Sequence, residues 1–245
     1  MTKIRLNRVI SRGGLSSLRE ADEIIRQGRV VVNGLVVTEL GTQVDPRADR
    51  IVVDGEPIGI PKNRHYYLFF KPKGVVSTME DPEGRSSIAD FTAGLSGRVF
   101  PAGRLDWDAD GLMLLTDDGR IANLIMRPGS KLKKTYQVKI AGSLADRDLA
   151  RFARGITIDG KPTLPSEIIP LEVRPKNSWY EVTLTEGRNR QIKKMFDFFR
   201  KRVLKIRRIA IGPLRLEGMA PGEVRKLLPY ELRALQEAVG PGDGQ

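Results

Sequence analysis

The segment Gly103-Arg104-Leu105-Asp106-Trp107-Asp108-Ala109-Asp110-Gly111 runs straight into the apolar tetrad Leu112-Met113-Leu114-Leu115 and then Thr116-Asp117-Asp118-Gly119. Glycine adopts backbone conformations that other residues resist, so the chain between Gly103 and Gly111 is free to bend tightly. The tetrad is too short for a helix and is predicted as a core strand, with Asp118-Gly119 as a turn signal behind it. A carboxylate on a glycine-bounded loop directly before a buried strand is held rigidly at a sheet edge, which points to an enzyme. Asp106, Asp108, Asp110 and Asp117 raise a metal site as a rival, because Asp-x-Asp-x-Asp-Gly resembles the start of a calcium loop. Leu112, Leu114 and Leu115 occupy the stretch where such a loop needs oxygen ligands, and the closing glutamate is missing. A plainer reading leaves Asp108 and Asp110 as solvated turn acids.

The chain has 245 residues, 40% hydrophobic and 29% charged, enough for two domains and a real core. It has no cysteine, which excludes disulfides, thiol catalysis and cysteine-ligated zinc. No stretch approaches the length of a membrane span and no signal-peptide segment is visible, so a cytoplasmic protein without a membrane partner is expected. The net charge of +12 is concentrated. Between Arg188 and Arg208 ten basic residues stand against one acid, Asp197, which is the pattern of a phosphate-tracking surface.

Residues 1–60 read as a separate unit. Ser17 and Glu20 form a capping box, Leu18, Ala21, Ile24 and Ile25 mark one helix face, and Gly28 ends that helix. A shorter helix precedes it around Leu6 to Ile10. Strands follow at Val30 to Val32 and Leu35 to Val37 around the type I′ hairpin signal Asn33-Gly34, with a third at Ile51 to Val53. Residues 61–64 read as the linker, 65–240 as the second domain and 241–245 as a flexible tail. His65 stands at the junction with no partner acid in its sequence neighbourhood, so surface or linker duty is expected of it. Tyr66 to Phe70, Thr135 to Ile140 and Trp179 to Thr185 are predicted strands, and Ile192, Met195, Phe196 and Phe199 make a helical stripe. The fold class is therefore α+β, with a mostly antiparallel sheet in the larger domain.

Four motifs carry a family resemblance. Gly103-Arg104-Leu105-Asp106 with the downstream Gly-Leu-x-Leu-Leu-Thr-x-Asp-Gly resembles the signature of the RsuA/RluB-type ribosomal RNA pseudouridine synthases. Lys71-Pro72-Lys73-Gly74, Lys134-Thr135-Tyr136 and the run Glu186 to Phe196 resemble three further motifs of that family, in the same order. Ala109-Asp110 departs from the residues common in relatives but leaves the acid in place. The two helices and Gly-Arg-Val-x-Val-Asn-Gly hairpin of the first unit resemble an S4 domain, an RNA-binding module. That likeness implies that Arg12, Arg19, Arg26 and Arg29 face RNA.

The resemblance implies a monomeric enzyme acting on ribosomal RNA. Making pseudouridine breaks the bond from C1′ to N1, turns the uracil and joins C1′ to C5, with no redox change and no outside reactant, so no cofactor and no metal is expected. Asp106 would either attack C1′ or remove the 2′ proton. The nucleotide must be extruded from the RNA stack. By resemblance Arg104 fills the gap and Tyr136 stacks on the flipped ring. Lys193 matches the basic position that pairs with the acid in relatives, where an opposing charge keeps a carboxylate ionised and oriented. Arg190 and Gln191 would hold RNA or the loop. The run from Trp179 to Arg190 is closer to the large-subunit branch, RluB, than to RsuA, so 23S RNA is the expected target and 16S RNA the alternative. A non-catalytic RNA-binding or ribosome-assembly factor explains the basic segment equally well, but not the joint presence of Asp106, Tyr136 and Lys193.

Overall fold

The computed structural model describes residues 3–61, 63–127, 129–130 and 132–240. The expected tail, 241–245, and Lys62 of the expected linker lie outside them. In the first unit α1 (Leu6–Arg12) and α2 (Leu18–Arg26) pack on a sheet of β1 (Val30–Val32), β2 (Leu35–Val37), β3 (Ile51–Val53) and β4 (Glu56–Ile58), in the order β2-β1-β3-β4. The capping box forms: Ser17 Oγ accepts from Glu20 N at 3.3 Å, and Glu20 Oε2 accepts from Ser17 N at 2.6 Å. Asn33 and Gly34 adopt φ of 51° and 86°, the left-handed pair that a type I′ turn requires. Asp54-Gly55 repeats this geometry and adds β4, a strand the sequence pattern did not mark. Leu6, Val9, Ile10, Ala21, Ile25, Val30, Ile51 and Val53 form the small core. Leu18 is a correction, since at 49% exposure it lies outside the buried face of α2.

The larger unit continues with β5 (Tyr66–Lys71), β6 (Asp110–Thr116), α3 (Gly119–Met126), β7 (Lys134–Ala141), α4 (Asp146–Arg154) and β8 (Glu167–Glu172). It closes with β9 (Asn177–Leu184), α5 (Gln191–Phe198), β10 (Val203–Ile211), β11 (Val224–Lys226) and α6 (Pro229–Val239). Their sheet runs β8-β9-β7-β10-β6-β5-β11, nine-stranded when the short strands Phe100–Pro101 and Leu214–Arg215 are included. Neighbours are antiparallel except for β6 and β10, which run parallel. β5 and β6 are covered on both faces, and that is why they read as unbroken apolar runs instead of alternating. Tyr67, Phe69, Met113 and Leu115 enter a core beneath α4 and α5 with Tyr180, Phe152 and Phe196. Leu68, Phe70, Leu112 and Leu114 enter the opposite core with Ile121, Ile125 and Leu235. Each such fully buried side chain contributes about 1.5–3 kcal/mol.

Two expectations need correcting here. Asp118-Gly119 is not a hairpin turn but the start of α3, because the Asp118 carboxylate accepts from Arg120 N at 2.9 Å and Ile121 N at 3.2 Å. His65 does have a partner acid, 52 positions away. Tyr66 pairs with Thr116 across β5 and β6, so the next residues outward meet, and Asp117 accepts from His65 N at 2.9 Å and lies 2.7 Å from its Nδ1. The pair fastens the start of β5 to the end of β6.

Candidate active site

The loop between Phe100–Pro101 and β6 is shaped at its exit by Gly111. Its φ is 122°, and a β-carbon there would run into the backbone of Arg208, its parallel partner in β10. Only glycine permits that approach. Two contacts pin the loop on either side of Asp106. Ser77 Oγ donates to Leu105 O at 2.7 Å and accepts from Leu105 N at 3.0 Å, while Gly74 N donates to Trp107 O at 2.8 Å. The turn carrying those residues is itself held by Lys71, whose buried ammonium donates to Pro72 O at 2.9 Å and Val75 O at 2.7 Å. Burial pulls the Lys71 pKa down to about 8 against the opposing influence of Asp110. Lys71-Pro72-Lys73-Gly74 is thus a clamp on the acid-bearing loop, and Ser77 is a part of it that motif reading missed.

The four acids of the loop region diverge. Asp106 and Asp108 both face Lys193, whose Nζ lies 3.0 Å from Asp106 Oδ2 and 2.5 Å from Asp108 Oδ1. Asp110 turns the other way and is gripped by Arg207, Nε to Oδ1 at 2.6 Å and Nη2 to Oδ2 at 3.0 Å. Asp117 belongs to His65. No three His, Cys, Asp or Glu side chains converge among the described residues, so the calcium-loop spacing is not a ligand cluster. Burial raises the Asp108 pKa, but the hydrogen bond and charge of Lys193 outweigh it and hold the group below the ordinary carboxylate value. Asp108 and Asp110 are therefore not free turn acids.

A cleft of roughly 90 Å³ opens beside this pair, lined by Arg104, Leu105, Asp106, Ala109, Tyr136, Arg188, Arg190, Gln191 and Lys193. Tyr136 comes from β7 at a point where its pairing with β10 shifts register, the kind of bulge that re-aims a side chain. Lys193 projects from the first turn of α5, and Arg190, at φ 52°, caps that helix in a left-handed conformation. Arg104 and Arg190 are exposed at the rim. Asp106, Tyr136, Lys193, Arg104 and Arg190 thus come together from three separate stretches of chain.

Two RNA-facing expectations change. Gln191 is only 4% exposed, and its amide donates to Glu186 Oε1 at 2.8 Å and accepts from Arg188 N at 3.0 Å, so at the cleft wall it secures the loop. The basic run is also partly internal. Arg208, 3% exposed, donates to Leu112 O at 2.7 Å, Arg207 holds Asp110, and Arg188 bonds Glu186. Arg190, Arg200, Arg202 and Lys205 remain outward. In the first unit Arg29 forks onto Asp54 at 2.8 and 2.6 Å and Arg26 pairs with Glu23. Arg12 is half-buried, and burial together with Arg64 and Arg8 lowers its pKa. Arg19 alone of the four is exposed with no hydrogen-bond or ion-pair partner among the described residues.

Comparison with known proteins gives one family for the larger unit and one for the smaller. Residues 65–198 match the RNA pseudouridylate synthase family and residues 4–51 the S4 domain. The chain is 38% identical to the ribosomal large subunit pseudouridine synthase B of Bacillus subtilis (strain 168), over 95% of each. It is 37% identical to an uncharacterized RNA pseudouridine synthase of Aquifex aeolicus (strain VF5), over 98% of this chain and 96% of that one. A crystal structure of a pseudouridylate synthase superposes with a TM-score of 0.68 at 32% identity, over 95% of this chain and all of the other.

Proposed function

Because the chain belongs to the RNA pseudouridylate synthase family, we propose that it isomerises one specific uridine to pseudouridine in the 23S RNA of the large ribosomal subunit. The observation that carries this reading is the Asp106 carboxylate, set in a cleft 3.0 Å from the Lys193 ammonium with Tyr136 and Arg104 around it. The large-subunit target draws its support from the name of the Bacillus subtilis relative. Residues 1–60 serve as an RNA-binding module, 65–240 as the catalytic domain, and the enzyme works as a cytoplasmic monomer. No helix among the described residues is long and apolar enough to cross a membrane.

The reacting uridine leaves the RNA stack and enters the cleft, and Arg104 occupies the gap. Asp106 then attacks C1′ or removes the 2′ proton. The bond from C1′ to N1 breaks with its electron pair departing on uracil, whose two carbonyls delocalise it. Tyr136 supports the ring while it turns, and C5 bonds to C1′ as the Asp106–C1′ bond breaks or, on the elimination route, as Asp106 returns the proton to C2′; the C5 proton is lost and N1 gains one. Atoms and electrons balance without a further reactant. Lys193 orients the carboxylate throughout, while Arg190 and the outward basic residues bind phosphates, which fix register more than sequence.

The test is Asp106→Asn. The amide keeps shape and hydrogen bonding but is neither nucleophile nor base, so turnover should vanish while RNA affinity stays nearly unchanged. Turnover is read as tritium released from C5-labelled uridine in ribosomal RNA of a strain lacking the gene. Retained turnover overturns the assignment of Asp106, and an unaltered pseudouridine map in that strain's 23S RNA overturns the target.

A further inference from the structure

Trp107 directly follows Asp106, yet it is 54% exposed, and among the described residues its indole has no hydrogen bond, ring contact or cation over its face. The chain's other tryptophan, Trp179, is half-buried on β9 with the Lys139 ammonium 5.6 Å from its ring centroid. The exposure of Trp107 does not come from a loose loop. Its carbonyl accepts from Gly74 N, and Leu105 two residues earlier is bracketed by Ser77, so the main chain around it is fixed and only two side-chain torsions remain. Holding a large apolar surface in water on a fixed loop beside the acid costs solvation free energy that contact with a flat apolar ligand would recover.

We infer that Trp107 is a stacking platform for an unpaired base that flanks the reacting uridine in the RNA. The inference rests on the function proposed above and adds to it a recognition residue and a requirement on the substrate. Trp107 does not line the cleft that holds Asp106 and Tyr136, so its ring meets RNA outside the flipped nucleotide. Exposed Lys73, adjacent to the Gly74 that pins it, supplies a cation for the backbone beside the ring, and exposed Arg104, which fills the gap left by the flipped nucleotide, stands on the same loop. An aromatic face among cations is how single-stranded nucleic acid is held, since every base offers a π-face and every linkage a phosphate. A polyanion with flat bases fits this surface, whereas a protein partner would need a wider apolar area than one indole. The flanking nucleotide must present a free face, so the target uridine lies in a loop or next to a pair that opens on binding.

Trp179→Phe leaves Trp107 as the sole tryptophan, and its emission then reports on the ring itself. The probes are an oligouridylate of about ten nucleotides, within the span of single-strand binding surfaces, and an abasic ribose-phosphate chain of equal length and charge. Stacking predicts quenching by oligouridylate and none by the abasic chain. Trp107→Ala should weaken oligouridylate binding about five-fold or more and leave abasic binding unchanged, while Trp107→Phe keeps most of the affinity. With ribosomal RNA as substrate, Trp107→Ala should raise KM more than it lowers kcat. Oligouridylate binding that leaves the emission unchanged, or an alanine variant that weakens both probes equally, overturns the inference. Wild-type turnover is measured alongside: its absence sinks the proposed function, whereas normal turnover with a silent Trp107 sinks only the stacking role.

Discussion

Gly111→Ala tests whether the acid-bearing loop is shaped by a backbone contact, and Gly103→Ala is its internal control. Both glycines have positive φ, 122° at Gly111 and 114° at Gly103, so alanine at either position bears a conformational penalty of about 1–3 kcal/mol. Their surroundings differ. At Gly103 the nearest atom to an added β-carbon is Met126 Cγ at 3.9 Å, an ordinary contact. At Gly111 the added carbon collides with the Arg208 main chain, which a side-chain rotation cannot relieve. The parallel pairing of Arg207 with Asp110 and of Arg208 with Gly111 must open. Forcing atoms into a packed site adds about 1–3 kcal/mol, so Gly111→Ala should cost roughly 2–6 kcal/mol in all. At about 2–4 °C per kcal/mol for a chain of this size, Tm should fall by at least roughly 4 °C, and clearly further than in Gly103→Ala. Opening that pairing also moves Asp110 away from Arg207, so turnover should fall in the protein that remains folded. Thermal and urea unfolding followed by circular dichroism give the two stabilities. Equal destabilisation by the two substitutions would refute the claim that contact with Arg208, beyond φ alone, demands glycine at 111.

Burial holds the Lys71 pKa near 8, below its ordinary 10.5, so between those pH values the unfolded chain binds a proton the folded chain has released, and this lysine's contribution to stability rises with pH across that window. The stability difference between wild type and Lys71→Met, from urea unfolding at a series of pH values, should therefore shift in favour of wild type from about pH 8 toward 10.5, and a flat difference would mean Lys71 is not desolvated when folded. Deleting residues 1–60 should leave a folded catalytic domain, since the ion pair between Arg98 and Glu20 that reaches across to it is exposed and such pairs stabilise little. The truncated enzyme should bind RNA more weakly with a smaller salt slope, about 0.7 less per lost phosphate contact, and turnover at saturating RNA should suffer less than affinity; unchanged affinity and slope would make the first unit structural.

Local chemistry was legible in the sequence wherever one short stretch decides the outcome. Ser17 and Glu20 lie within one helical turn, and Asn33-Gly34 carries its own turn preference, so both could be read in advance. The alternation of Tyr180, Val182 and Leu184 needs only a half-buried strand to be recognised. Asp118 carries no such decision, because aspartate side chains serve turns and helix caps alike, and the choice depends on whether the following chain is packed as a helix. The acid of the site, Asp106, was visible through its glycine-bounded motif, and the resemblance supplied Tyr136 and Lys193.

What the tertiary structure alone decided is who pairs with whom. Lys193 bridges Asp106 and Asp108 from 85 or more positions away, Arg207 takes Asp110, and Asp117 takes His65. Nothing in a run of four aspartates distinguishes them, because a carboxylate's partner is set by strand register and helix placement and not by its neighbours in sequence. The same reason explains the basic run from Arg188 to Arg208. As a sequence it is a uniform block of charge, but β10 alternates its faces, so Arg208 is turned inward to hold Leu112 while Lys205 remains in water and Arg207 reaches Asp110. The sequence says which charges exist; their division between holding the loop and standing in water follows from strand register and long-range packing.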